Sequence, residues 1–429
     1  METMQRFRSL RCLLALLPLL WGGTPVLAQA TAPPEGGAPG ADLAELLRLA
    51  EAANPDLAMS QYEARAARSR TGAADVLPDP VFSVGFQNYP VDGAMGAQTP
   101  PGRLYLLKQM FPLGGKRALR REEADAGARQ AQLRARQARS DLRSKVKAAY
   151  AELYLTAQRL RLNRELLAAF GGMTAQMESR YAQGTAKQQD LLKARLERIM
   201  IEAEGLKLGG DNARARIRVN MLLARPPDAP LALPLKPRPV PSVGSLDIAA
   251  LLSRSVEQGP SVAAQAAEFD KAEAVRRLAG REVWPELELG VGVMEREGRA
   301  MSYEAMVQFT LPIWSGARAA MREEASHMAA AAKAKQVMAS VQAQADVREA
   351  LAELAAVQDT LRLLRGSSLV QGRLGFQTAL RGAEQGRVEP SVAIDALRQL
   401  RAIEADVLAM EMEEQTRLAA IERILGEDL

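Results

Sequence analysis

His327 is the only histidine in the 429 residues. One chain therefore holds no histidine-based metal site and no histidine general base beside a nucleophile. Cys12 is the only cysteine and lies close to the N-terminus, so the rest of the chain has no disulfide and no thiolate site. Glu122-Glu123 falls in a helical pattern and gives no convergent acid–base pair. Gly114-Gly115-Lys116-Arg117 has the look of a phosphate loop but lacks the Walker spacing and its Ser/Thr, and reads as a strand-to-helix turn. Met294, Met301, Met306, Met321, Met328 and Met338 could offer thioethers to Cu(I), but packing of helices and strands by a flexible side chain is the simpler reading. No catalytic, cofactor or metal site emerges, and the sequence reads as that of a non-enzyme.

The elements around these residues are long helices. Aromatic residues make up 4% and charged ones 25%, a composition suited to extended helices more than to a compact α/β enzyme. The net charge of +5 is inflated by the first residues, where Arg6, Arg8 and Arg11 precede the apolar run Leu13–Leu20. That pattern, closed by Val26-Leu27-Ala28, predicts a secretory signal over residues 1–28. Elsewhere acidic and basic residues interleave along helix faces, which argues for a solvated surface and against nucleic-acid binding. Residues 29–41 read as a flexible lead-in and 226–244 as a Pro-rich linker.

The linker separates two copies of one pattern. Asn54-Pro55-Asp56-Leu57-Ala58 is echoed by Gly259-Pro260-Ser261-Val262-Ala263, and Pro80-Val81-Phe82 by Pro285-Glu286-Leu287. Phe111-Pro112-Leu113-Gly114 is echoed by Leu311-Pro312-Ile313-Trp314, Arg121-Glu122-Glu123-Ala124 by Arg322-Glu323-Glu324-Ala325, and Gln183-Gly184 by Gln385-Gly386. The near-constant offset divides the chain into a first repeat, 42–225, and a second, 245–426. Each reads helix, strand, loop, strand, then two long helices. In the first, a helix is expected from Leu43 to Leu77 with a break before Pro55, strands over Val81–Tyr89 and Leu104–Phe111, and a loop over 90–102.

The strands alternate. Phe82, Val84 and Phe86 oppose Ser83, Gly85 and Gln87; Leu287, Leu289, Val291 and Val293 oppose Glu288, Gly290 and Gly292. Tyr303, Ala305, Val307 and Phe309 oppose Glu304, Met306 and Gln308. Apolar-out strands of about 8–9 residues approach the ~9–11 that cross a bilayer, and strands span lipid only in a closed barrel. Closure needs about eight strands, so four per chain must be pooled among copies; three copies would give twelve. A soluble alternative would be one continuous buried sheet, its apolar face packed on a helix. The long helices carry a seam at Leu142, Val146, Ala149, Leu153, Thr156, Leu160, Asn163, Leu167 and Phe170, spaced by four and three as in coiled coils.

The order Asn54-Pro55-Asp56-Leu57-Ala58, Leu77-Pro78-Asp79-Pro80, a strand pair, Phe111-Pro112-Leu113-Gly114-Gly115-Lys116-Arg117, then Tyr181-Ala182-Gln183-Gly184 with Asp190-Leu191-Leu192-Lys193-Ala194 resembles the TolC-like outer-membrane efflux proteins, from about residue 41 to 426. Asn88-Tyr89-Pro90-Val91-Asp92 and the Gln109–Arg117 stretch resemble its heavy-metal branch. The resemblance implies a mainly α protein with four transmembrane β-strands per chain, forming a homotrimer. Its twelve-stranded β-barrel would lie in the outer membrane above a long periplasmic α-helical barrel. It implies a passive exit duct, with heavy-metal cations as one cargo, served by a periplasmic adaptor and a proton-driven inner-membrane pump, with outer-membrane lipid around the barrel and no nucleic acid. It assigns adaptor docking to the helical turns at Arg180, Gly184 and Thr185 and at Gly386, Arg387 and Val388. Asp395 matches the second acidic position of the family's tip motif, whose first is Val392 here; Asp190 is the acidic residue of the matching first-repeat stretch, and both are pore-constriction candidates. The competing readings are a periplasmic adaptor, which would have one helical hairpin flanked by β-rich domains, and a coiled-coil scaffold without a pore.

Overall fold

The structure, a computed structural model, describes residues 38–87, 102–234, 236–385 and 387–429, with the side chains of 169, 384 and 390 left aside. The expected signal, most of the lead-in, the loop between the first two strands and Gly386 lie outside the described residues.

The first repeat opens with α1 (Leu43–Ala53) and α2 (Pro55–Thr71). Pro55 cannot continue α1 but suits the first turn of α2. Asn54 caps that turn, accepting from the N–H groups of Asp56 at 3.0 Å and Leu57 at 3.2 Å, while its Nδ2 donates to the Leu222 carbonyl at 3.0 Å. The helix stops six residues short of the expected Leu77. Strands β1 (Val81–Gln87) and β2 (Gly102–Pro112) follow, then α3 (Lys116–Ala182) and α4 (Gln188–Leu222). The second repeat runs α5 (Ile248–Glu257), α6 (Pro260–Arg281), β3 (Glu286–Arg296), β4 (Arg299–Thr310), α7 (Ser315–Leu363), a π-turn over Leu364–Ser368, α8 (Leu369–Glu384) and α9 (Pro390–Leu425). α3 continues well past Phe170, a rod of roughly 100 Å at ~1.5 Å per residue. No described helix is long and apolar enough to cross a membrane.

The four strands form one antiparallel sheet in the order β1-β2-β3-β4. The central pair joins the two repeats, with Leu106 opposite Gly292 and Lys108 opposite Gly290. Glu297 and Gly298, both at positive φ (51° and 77°), make the tight β3–β4 turn, the two-residue geometry that matches strand twist. Continuity, assigned above to the soluble alternative, does not separate the readings; burial does. No helix packs across either face of the sheet among the described residues.

The expected seam forms the helical core. Leu142, Val146, Ala149 and Leu153 pack with Leu46, Val219 and Leu223, and Leu251, Val347, Leu354 and Ile421 repeat that packing in the second half. Farther along α3, Leu166 takes the buried place expected of Leu167, while Ala149, Thr156, Asn163 and Phe170 keep the seven-residue spacing. The polar seam residues have partners: Asn163 Nδ2 donates to the Ile201 carbonyl at 3.1 Å, and Asn212 Nδ2 to Thr156 Oγ1 at 3.1 Å. A Cβ at Gly205 would stand 2.6 Å from Asn163 Oδ1, so α3 and α4 approach at a glycine.

Candidate functional site: the open sheet and the helical turns

Register fixes the two faces of the sheet. Phe82, Val84 and Phe86 line up with Tyr105 and Leu107, then Val291 and Val293, then Tyr303, Ala305 and Val307. This face is apolar and open: Phe86 is 66% exposed, Val291 64% and Tyr303 86%. Fully burying such side chains is worth about 1.5–3 kcal/mol each, so a face left unburied in water is a large unfavourable area that an apolar medium removes. The opposite face carries Ser83, Gly85, Lys108, Glu288, Gly290, Gly292 and Glu304. Lys108 pairs with Glu288 at 3.4 Å on it. The outer edge of β1 and the outer edge of β4 pair with no described strand, and unpaired edges recruit further strands.

The strand-to-rod joint is rigid. Gly114 has φ 72°, and a Cβ there would stand 2.5 Å from the Trp284 ring. Lys116, 2% exposed, places Nζ 3.1 Å from Glu282 and 3.5 Å from Glu286. Arg117 donates to the Asp75 carbonyl, and Arg318 to the Glu282 carbonyl at 3.1 Å, the same strap in each repeat. The Gly-Gly-Lys-Arg stretch is thus a turn and an ion-paired clamp.

At the far end, the turns between α3 and α4 and between α8 and α9 lie side by side. Arg180 Nη1 donates to the Ala383 carbonyl at 3.0 Å, and Lys187 Nζ lies 3.2 Å from Glu389. Gly184, at φ 71°, ends α3, with Thr185 N–H reaching the Arg180 carbonyl and Gly184 N–H the Tyr181 carbonyl, the Schellman arrangement. In the second turn, Arg387 N–H reaches the Gly382 carbonyl over the same span at 2.8 Å, and Val388 N–H shares that acceptor. Of the residues singled out in sequence, Arg180, Gly184, Thr185, Arg387 and Val388 meet at this end.

Asp190 lies half-buried in the first turn of α4. Asp395 is exposed on α9, 3.6 Å from Arg398. Arg398 is held elsewhere more firmly: its Nε and Nη2 donate to Glu197 Oε2 at 2.9 and 2.5 Å. That carboxylate keeps Arg398 above the ordinary guanidinium pKa. Glu197 itself is buried on α4, with Arg401 also 3.9 Å away. Sequence reasoning passed over Glu197, although the spacing Leu191, Ala194, Glu197, Ile201 puts it on the buried seam. Among the described residues no group of three or more potential metal ligands converges.

Further apolar stripes stay uncovered. Leu192, Leu196, Ile199 and Leu206 line α4, and Leu363, Val370 and Leu374 line α7–α8, all exposed. The first set steps by four and three, the spacing of a helix seam without its partner.

The sequence profile described as outer membrane efflux protein matches residues 46–225 and 251–427, one stretch in each half. The fold is similar to that of a membrane protein from Pseudomonas aeruginosa, 21% identical with a TM-score of 0.79 over 91% of each chain. It is similar to the outer membrane protein VceC of Vibrio cholerae, 17% identical, TM-score 0.77, covering 90% of this chain and 96% of that one. It also resembles the MtrE outer membrane channel of Neisseria gonorrhoeae, 18% identical, TM-score 0.74, over 91% of this chain and 90% of that one. The chain matches none of the curated proteins.

Proposed function

The chain belongs to the outer membrane efflux protein family, and from that premise we propose how it forms its channel: three copies close their sheets into one twelve-stranded barrel. It is an outer-membrane efflux channel with a helical periplasmic part. The observation that carries the closure is the sheet itself, open at both edges and apolar over most of one face, with no helix to cover it among the described residues. Lipid accepts strands only when every backbone group is paired, so the two free edges must meet those of other copies. Two copies would supply eight strands, a number whose interior side chains fill the barrel. Three supply twelve and leave a bore. The uncovered stripes on α4 and α7–α8 support the same neighbours along the rods.

The rods then continue the bore into the periplasm, and the paired turns at Arg180, Gly184, Thr185, Gly386, Arg387 and Val388 present two sites per copy to an adaptor. Six such sites suit a six-fold ring. Three Asp395 side chains, and Asp190 in the neighbouring helices, stand near the narrow end; Arg398 offsets part of the Asp395 charge. Energy for export comes from an inner-membrane pump, and the channel itself is a passive conduit. Heavy-metal cations are one cargo to test, supported by the Gln109–Arg117 stretch.

Membrane fractionation with unheated gel electrophoresis tests the closure. An outer-membrane band at trimer mass that collapses to the monomer on heating is expected. A soluble monomer would end this reading. A deletion strain that gains sensitivity to lipophilic drugs while keeping full metal tolerance would reject the metal cargo.

A further inference from the structure

We infer that the inner wall of the barrel holds a binding subsite for lipophilic organic cations, built in each copy from Leu104, Leu106, Met306 and Glu304. The inference rests on the barrel reading, which turns this face of the sheet to the bore. The strand pattern leads one to expect small and polar residues there, yet β2 places Leu104 and Leu106 on it. Register sets them in cross-strand rows: Leu106 beside Gly292 beside Glu304, and Leu104 beside Met294 beside Ser302.

The two glycines make the room. A Cβ at Gly292 would meet the Tyr105 carbonyl oxygen at 2.9 Å, Leu106 Cδ1 at 3.1 Å and Leu104 Cδ1 at 3.4 Å, and one at Gly290 would meet Met306 Cε at 3.2 Å and Leu106 Cδ1 at 3.4 Å. The side chains converge over bare backbone and form one continuous apolar patch. Leu106 and Met294, 9% and 8% exposed, form the floor; Leu104 and Met306 are half-buried beside them, their terminal carbons laid over the glycines. Methionine adapts its shape to varied apolar partners.

Charge selects the sign of the ligand. On this face Lys108 is neutralised by Glu288, and Glu286 by Lys116. Arg296 stands at the β3–β4 turn, four residues up the strand from Gly292 and so about 13 Å away. The carboxylate against the apolar patch is Glu304. An apolar body with a diffuse positive charge satisfies both at low desolvation cost, whereas a small hydrated cation must give up water to touch the leucines.

The test is block of single channels of the full-length protein in planar bilayers by tetraphenylphosphonium, with tetramethylammonium as the hydrophilic cation of equal charge. Tetraphenylphosphonium is expected to block at a concentration at least about tenfold lower, a difference of ~1.4 kcal/mol. Glu304→Gln and Met306→Gln, neither of which empties the Leu106 floor, should each raise its blocking concentration several-fold. Equal block by the two cations, or block unchanged in both variants, would overturn the subsite and leave the channel standing. Absence of any unitary conductance would overturn the channel reading and the subsite with it.

Discussion

At the end of α4 the buried residue 220 is an asparagine, and at the matching place in α9 residue 422 is a glutamate. Asn220 Nδ2 donates to the carbonyls of Pro227 and Ala229, both at 2.9 Å, and so folds the linker onto its own helix. Glu422 accepts from Lys147 of α3 at 2.6 Å, from Arg238 of the linker at 2.7 and 2.8 Å, and from the Leu429 N–H at 3.0 Å. The neutral copy closes a local turn. The charged copy ties the first repeat, the linker and the C-terminal tail to the second. Duplication kept the backbone, and the buried polar residue at each end records whether its contacts are local or cross the halves.

Substitution at these two ends should show the largest effect. Lys147→Met takes one of two cations from the nearly dry Glu422 and the buried partner from Asp428; Arg238 remains, so the cost should approach the ~3–5 kcal/mol of a fully broken buried pair without exceeding it. Asn220→Ala removes two neutral hydrogen bonds and should cost about 1–3 kcal/mol. Thermal melting in detergent ranks them, and equal losses would erase the distinction drawn above. The two faces of the sheet offer the next contrast. Val291→Arg puts a charge into lipid at a cost of about 2–4 kcal/mol. Gln308→Arg, on the bore face, should be nearly neutral; the yield of outer-membrane trimer reads both, and an inverted order would reverse the assignment of faces.

Smaller effects come from the helix ends. Ala224 and Gly426 occupy equivalent cap positions at φ 52° and 80°. Left-handed backbone costs a side-chain-bearing residue roughly 1–2 kcal/mol, so Ala224→Gly should raise the melting temperature slightly. Gly426→Ala should lower it more than that, because its Cβ would also stand 2.7 Å from Pro260 Cγ. The smallest effect is in pH. Burial pushes Glu51 up, but hydrogen bonds from Arg139 and Arg143 outweigh it and hold the group below its ordinary value. Asp428 is likewise raised by burial and lowered further by Lys147 and Arg143. A depressed carboxylate stabilises the fold above its unfolded pKa, about 4, and loses that contribution as pH falls through the folded value. Melting should be flat from pH 7 to about 5 and fall below about 4, less steeply in Glu51→Gln; a rise on acidification would contradict the sign.

Much of the fold was legible because its signals are periodic. The Phe82-Val84-Phe86 alternation and the Leu142-to-Leu153 spacing each report a face directly. Asn54-Pro55 marked a break because capping and proline chemistry are local. What escaped was largely non-local. The stop of α2 at Thr71, short of Leu77, falls at Gly72, and the strap from Arg117 to the Asp75 carbonyl holds the turn that follows. The π-turn at Leu364–Ser368 has no counterpart in α3, and its Gly366-Ser367-Ser368 is a weak mark that alone does not tell a π-turn from a regular helix. Leu104 and Leu106 look unremarkable until register sets them over Gly290 and Gly292. Glu197 is an ordinary helical glutamate until α9 brings Arg398 to it.

Cysteine pairs across the free edges test the central claim most directly, in a chain whose only native cysteine is Cys12. Val84→Cys on β1 is combined in turn with Tyr303→Cys, Ala305→Cys and Val307→Cys on β4, and membranes are oxidised and run on a denaturing gel without reductant. At the pairing register, bands at two and three chain masses should appear, ending at three and vanishing with reductant. Monomer alone across the whole series, or a ladder running past three, would contradict a barrel closed by three copies.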